Sequence, residues 1–188
     1  FFSPKWWHGK SPVPYRGWAV RFDPPLDAAG HITDGRWSLH PVPPGFRSPC
    51  GLGRNSAGDI FVTDNQGDWM PVGPIFHLQE GRFYGHPAGL DWTPEWQRNG
   101  AHASDTEPPD VTRAPAAVWL PYKWSRSAGN LVEDTTGGAF GPFGGQLFVM
   151  LALPWCHPTG SLLAPVLALS DVVMPGFRSR FRQTLILL

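Results

Sequence analysis

Four residues at the end of a short apolar run carry the most chemistry in this chain: Asp64, Asn65, Gln66 and Asp68, with Gly67 set among them. The run before them, Asp59-Ile60-Phe61-Val62-Thr63, has the β-branched and aromatic content of a strand. A strand that delivers carboxylates and amides onto a glycine loop builds a site for a cation or a cofactor. The two acids lie four positions apart, without the register of an EF-hand. Asp, Asn and Gly also dominate turns that bind nothing, so a plain turn is the competing reading. Further on, Tyr84, Gly85, His86 and Pro87 could stack on a flat ligand or serve as rim and core aromatics. Trp6, Trp7, Trp92, Trp96 and Trp124 could form a sugar-stacking wall, with packing between sheets as the simpler use. Cys50 is expected to be a small buried apolar residue. No His and acid constellation accompanies it to make a nucleophile.

The elements that position these groups are short and separated by turns. Gly45, Gly51, Gly53, Gly58, Gly67, Gly81 and Gly85 punctuate the central stretch and allow tight turns or close backbone approach. Trp18, Val20 and Phe22 alternate with Ala19, Arg21 and Asp23, which is strand periodicity. Further strands are expected over Arg36–His40, Ala116–Leu120 and Gln146–Val149, and one helical turn over Asp91–Trp96. A polar loop is expected from Asn99 to Thr112. Prolines interrupt almost every window of a dozen residues, so long helices are excluded. Gly 22 and Pro 22 approach low-complexity content, but 10 Trp and 12 Phe give the chain large apolar rings to bury. The composition is that of a turn-rich, all-β fold.

With 15 basic and 15 acidic residues the net charge is zero, and no basic patch is visible, which argues against a nucleic-acid partner. Cys50 and Cys156 could form one disulfide but fix neither a zinc site nor a compartment. Gly58-Asp59-Ile60-Phe61-Val62 resembles Gly145-Gln146-Leu147-Phe148-Val149, 87 positions later. That interval is about two repeats of the roughly 40–50 residues in one propeller blade. Short strands alternating with long Gly/Pro loops also favour a propeller. Between Asp134 and Asp171 no Asp, Glu, Lys or Arg intervenes, yet prolines break the stretch. Its apolar runs fall short of the ~18–20 residues of a membrane span, so no transmembrane segment is expected.

Phe46-Arg47-Ser48-Pro49-Cys50-Gly51-Leu52-Gly53, Gly58 to Trp69, and Gly81-Arg82-Phe83-Tyr84-Gly85-His86-Pro87 resemble the glucose/sorbosone dehydrogenase-like β-propellers. The likeness is closest to large membrane-associated dehydrogenase-like proteins of planctomycetes. Tyr15 to Trp18, Val118 to Tyr122 and Gly141 to Val149 resemble the same group. The resemblance covers about residues 12 to 149. It implies about three blades of a six-bladed propeller over residues 1–149. The tail, 150–188, is expected to be atypical, either out of frame after Val149 or disordered.

The resemblance further implies a quinoprotein sugar or alcohol dehydrogenase, with pyrroloquinoline quinone on the top face over a calcium ion. A histidine base would take the hydroxyl proton as hydride passes to the quinone, and a cytochrome would accept the electrons. That base lies in an earlier blade and is not assigned here; His8 is too near the chain start. The chain alone is expected to be silent as an enzyme. Cofactor contacts map onto Arg47, Ser48, Tyr84 and His86, with Ser48 replacing an amide and His86 a tryptophan of the family pattern. Arg47 would pair with a quinone or carboxylate oxygen, for which a planar charged fork is suited. Calcium maps onto Asp64, Gly67 and Asp68, without the proline that the pattern carries. A periplasmic or cell-envelope location goes with the resemblance. Two other readings share the fold: a non-catalytic carbohydrate- or protein-binding propeller with a structural calcium, and a calcium-dependent sugar lactonase. The quinoprotein reading requires Arg47 and the acidic tip after Val62 to converge at one open end of a radial β assembly.

Overall fold

A computed structural model describes residues 14–67, 70–93, 112–122, 124, 127–152, 166–169 and 183–186. Trp6, Trp7, His8, Asp68, Trp96, Cys156 and nearly all of the Asn99–Thr112 loop lie outside them. The described chain is all-β, in three small antiparallel sheets, with no α-helix among these residues. It divides into two compact units.

Unit 1 comprises residues 1–47 and 79–114. Its sheet is a hairpin of β1 (Trp18–Asp23) and β2 (Ser38–Pro44). The alternation in β1 does place Val20 and Phe22 against Pro41 and Leu39, while Arg21 and Asp23 oppose His40 and Ser38. Strand β2 starts two residues later than expected and runs on through Pro44. Past its end, Tyr84 N–H donates to Pro44 O at 2.9 Å and His86 N–H to Gly45 O at 2.8 Å. The helical turn is a 3₁₀ turn at Pro87–Trp92, earlier than Asp91. It is held by the Trp18 indole N–H, which donates to Gly89 O at 2.6 Å.

Unit 2 comprises residues 48–78 and 115–188. Its first sheet has the order β3 (Pro49–Arg54), β4 (Ile60–Asp64), β5 (Gly73–His77), β6 (Val118–Leu120). Its second has β7 (Ser127–Glu133), β8 (Leu147–Ala152), β9 (Val166–Leu169) and β10 (Gln183–Ile186) in order. Each sheet is therefore a meander in which every strand pairs with its sequence neighbour. Residues 166–169 and 183–186, within the tail expected to be atypical, supply the last two strands by backbone pairing.

The sheets meet through one apolar core containing Phe61, Ile75 and Leu120 from the first, and Leu131, Leu147, Val149 and Leu151 from the second. Full burial of such a side chain contributes about 1.5–3 kcal/mol. At β3 the approach is closer than any side chain permits. A Cβ on Gly51 would sit 2.1 Å from Gly129 O, and one on Gly53 would sit 2.5 Å from the Leu131 carbonyl oxygen. These glycines make β3 read as loop in the sequence, and they are what let β7 lie against it.

Candidate functional site

Strand β4, an inner strand, carries Asp64 at its end, but not as an exposed tip. Asp64 is 1% exposed. Its Oδ1 accepts the Ser48 N–H and the Asn65 N–H, both at 2.8 Å. The carboxylate thus ties the entry to β3 to the exit from β4, satisfying two donors that would otherwise be orphaned. Pro49 pairs with Asp64 before the register slips at Cys50 and resumes with Gly51 against Thr63. A bulge of this kind re-aims the side chain it displaces. Cys50 is accordingly exposed, contrary to the expectation of a buried apolar residue.

Asn65 organises the polar cluster beside this bulge. Its Nδ2 donates to Ser48 O at 2.9 Å and lies 3.0 Å from Cys50 Sγ. Its Oδ1 accepts the Ser127 hydroxyl at 2.6 Å. Ser127 belongs to the second sheet, and its Oγ is 3.5 Å from Cys50 Sγ. Thr63, fully buried, reaches Ala128 O at 3.0 Å and Gly129 O at 3.1 Å through its hydroxyl. A seam of side-chain hydrogen bonds therefore joins the two sheets at one end of β3 and β4.

Gly67 closes a tight loop with Met70: each N–H donates to the other's carbonyl at 2.8 Å. Gly67, at φ 139, adopts a backbone conformation that only glycine takes readily. Of the predicted calcium residues, Asp64 and Gly67 thus spend oxygens on the fold itself, and Asp68 lies outside the described residues. No group of three His, Cys, Asp or Glu is placed to hold a metal among the described residues.

The other predicted contacts divide between the units. Ser48 stands in unit 2 beside Asp64 and Asn65; Arg47, Tyr84 and His86 belong to unit 1. Arg47 is half-buried. Tyr84 is 1% and His86 2% exposed. The Tyr84 ring stacks on Phe46 with centroids 4.7 Å apart, and its hydroxyl accepts the Gln79 N–H at 2.8 Å. Burial pushes the Tyr84 hydroxyl above its ordinary value, opposed by the Gln79 N–H and the charge of Arg82. Within unit 1 these two aromatics are core, not rim.

Two polar arrangements escaped the sequence reading. At the far end of β4, Asn55 and Asp59 close a turn through Nδ2 to Oδ2 at 2.9 Å, and Asp59 Oδ1 faces His77 Nε2 at 3.4 Å. His77 also stacks on Phe61. After β7, Asp134 caps its own turn: its Oδ1 accepts the Thr136 N–H at 2.9 Å and the Thr136 hydroxyl at 2.6 Å. The spacing Asn-x-x-x-Asp and Asp-x-Thr was the available signal in each case. No family model, curated protein or solved structure matches the chain.

Proposed function

We propose that the chain is part of a β-propeller of the quinoprotein sugar dehydrogenase type, with unit 2 contributing neighbouring blades. The carrying observation is topological. Two consecutive four-stranded meanders, β3 to β6 and β7 to β10, stack on a shared apolar core, and a blade is a four-stranded antiparallel meander of this kind. Fold alone does not deliver chemistry, so the dehydrogenase assignment draws on the motif resemblance.

Burial sorts the roles. Arg47 and Ser48 are half-buried and stay eligible for contact with the acidic oxygens of pyrroloquinoline quinone. Tyr84 and His86 would act behind such a contact, their N–H groups holding the Pro44 and Gly45 carbonyls in place. Calcium at the loop after β4 would be carried by Asp68 and main-chain carbonyls, because Asp64 Oδ1 already holds two N–H groups. When bound, the quinone supplies the hydride acceptor; the residues described here bind and orient, and none is assigned as the base. The substrate class is a sugar or small alcohol.

A second reading, a non-catalytic propeller that binds carbohydrate or protein, is favoured by the burial of Tyr84 and His86 and by the commitment of Asp64 to the fold. Titrating the full chain with pyrroloquinoline quinone, with and without calcium, separates the two by quenching of tryptophan fluorescence. Micromolar binding that weakens about 10- to 100-fold in R47A supports the first, since a charge-assisted hydrogen bond contributes about 1.5–3 kcal/mol. Absence of quinone binding, with sugars still bound, selects the second.

A further inference from the structure

We infer that the turn joining β7 to β8 is a calcium site, distinct from the loop after β4. Asp134 and Gln146 face each other where the β7–β8 ladder ends. The Asp134 N–H donates to Gln146 O and the Gly145 N–H to Asp134 O, each at 2.9 Å. Two residues thus oppose one, a bulge in which Gly145 takes φ 76. Cross-strand partners have Cβ atoms roughly 4.5–5.5 Å apart, so one ion spans both side chains.

Both side chains bring a buried oxygen that nothing among the described residues satisfies: Asp134 Oδ2 and Gln146 Oε1. Asp134 itself is 7% exposed. A buried, unpartnered carboxylate oxygen is costly, and such groups are paired or coordinate a metal. Neither Asp134 nor Glu133 forms an ion pair with Lys or Arg among the described residues, and residues 135–146 contain neither. Glu133 adds charge nearby, its Oε1 lying 3.9 Å from the position of a Gly145 Cβ. The donor set is oxygen only, carboxylate and amide, which selects a hard cation. Calcium takes 6–8 such oxygens at flexible geometry, and the glycine-rich turn offers main-chain carbonyls and access for water to complete the shell. The Asp134 Oδ1 bonds to Thr136 preorganise the carboxylate and leave Oδ2 directed away from the cap.

The alternative is a Gln146 amide turned the other way, donating Nε2 to Asp134 Oδ2, which would satisfy that oxygen with no cation. Thermal unfolding of the full chain, chelated and then with calcium, decides between them. The site predicts a rise of several degrees in the midpoint on adding calcium, since a ligand bound only to the folded state stabilises it. D68N, which takes away the carboxylate proposed for the loop after β4, should keep part of the rise, and adding D134N, which keeps the Oδ1 cap, should abolish what remains. Q146E adds a carboxylate: its metal-free midpoint should fall and its rise with calcium should grow. The inference is overturned if wild type shows no rise, if the rise vanishes in D68N alone, or if it survives in the D68N/D134N double variant. Should D134N not fold, Q146E decides: unchanged metal-free stability and an unchanged rise overturn it as well.

Discussion

Asp64 and Asp134 are the same residue doing the same local job at the ends of β4 and β7. Each is buried, and each uses Oδ1 to hold two donors of the chain, at least one of them on the segment that leaves the strand. They differ in what the remaining oxygen faces. Asp134 keeps a buried Oδ2 without a partner among the described residues, opposite a Gln146 in the same condition; Asp64 does not. They differ also in reach, for Asp64 joins two strands 16 residues apart while Asp134 caps its own next turn. A carboxylate closing a long-range contact is a structural clamp, and one closing a local turn with an oxygen to spare is a candidate ligand. The residue type alone says neither.

Both caps rest on the same stacked sheets, so forcing those sheets apart should abolish both together. G51A places a methyl within 2.1 Å of Gly129 O and 2.6 Å of Asn130 N, backbone atoms that cannot step aside. A loss of about 3 kcal/mol or more, or failure to fold, is expected in urea denaturation. A mild effect would mean that β3 and β7 are not in contact. D64A comes next. It orphans the N–H groups of Ser48 and Asn65 beside a buried cavity, at about 1–3 kcal/mol for each unsatisfied donor. D134A removes a local cap and should cost about 1 kcal/mol in metal-free solution, the usual worth of such a cap. If D134A costs as much as D64A without metal, the contrast between clamp and ligand is wrong.

The smallest effects are titrations. Tyr84 is a third buried acid, in unit 1, favoured in its neutral form. Its contribution is fully present below the ordinary phenol value near 10.0 and declines as pH rises through the raised folded value. Alkaline unfolding monitored above pH 10 should therefore be flatter in Y84F than in wild type; an identical slope would place the hydroxyl in solvent. Asp27 runs the other way. The His31 N–H lowers its carboxyl below 3.8, with further help from the His31 ring and the Ala29 and Gly30 N–H groups. Its small contribution is present above that value and lost as pH falls through the lowered one, so D27N should blunt acid sensitivity only slightly.

Much of the fold was legible because β1 alternates and because β4, β6 and β8 are runs rich in β-branched, aromatic and other apolar residues. Strand β3 was not, because Cys50-Gly51-Leu52-Gly53 has the composition of a loop. Its glycines answer to a neighbouring strand about 80 residues away, and local propensity carries no record of that neighbour. Strand β5, paired on both sides, begins Gly73-Pro74, and the edge strand β7 takes up Gly129-Asn130 in a register shift between Ala128 and Leu131. Among site residues the acidic loop after β4 was found by type, but burial turned Asp64 from a tip into a clamp. Asn65 and Ser127 are 62 positions apart, and only the stacking of the sheets makes them partners.

The stacking of β3 on β7 underlies the clamp, the Asn65–Ser127 bond and the paired-blade reading alike. Nuclear Overhauser contacts between the Gly51 α-protons and the Asn130 amide test it most directly. A clear cross-peak is predicted, because that amide nitrogen lies 2.6 Å from where a Gly51 Cβ would stand. Its absence in the folded chain, with Gly51 meeting solvent instead, would contradict the account.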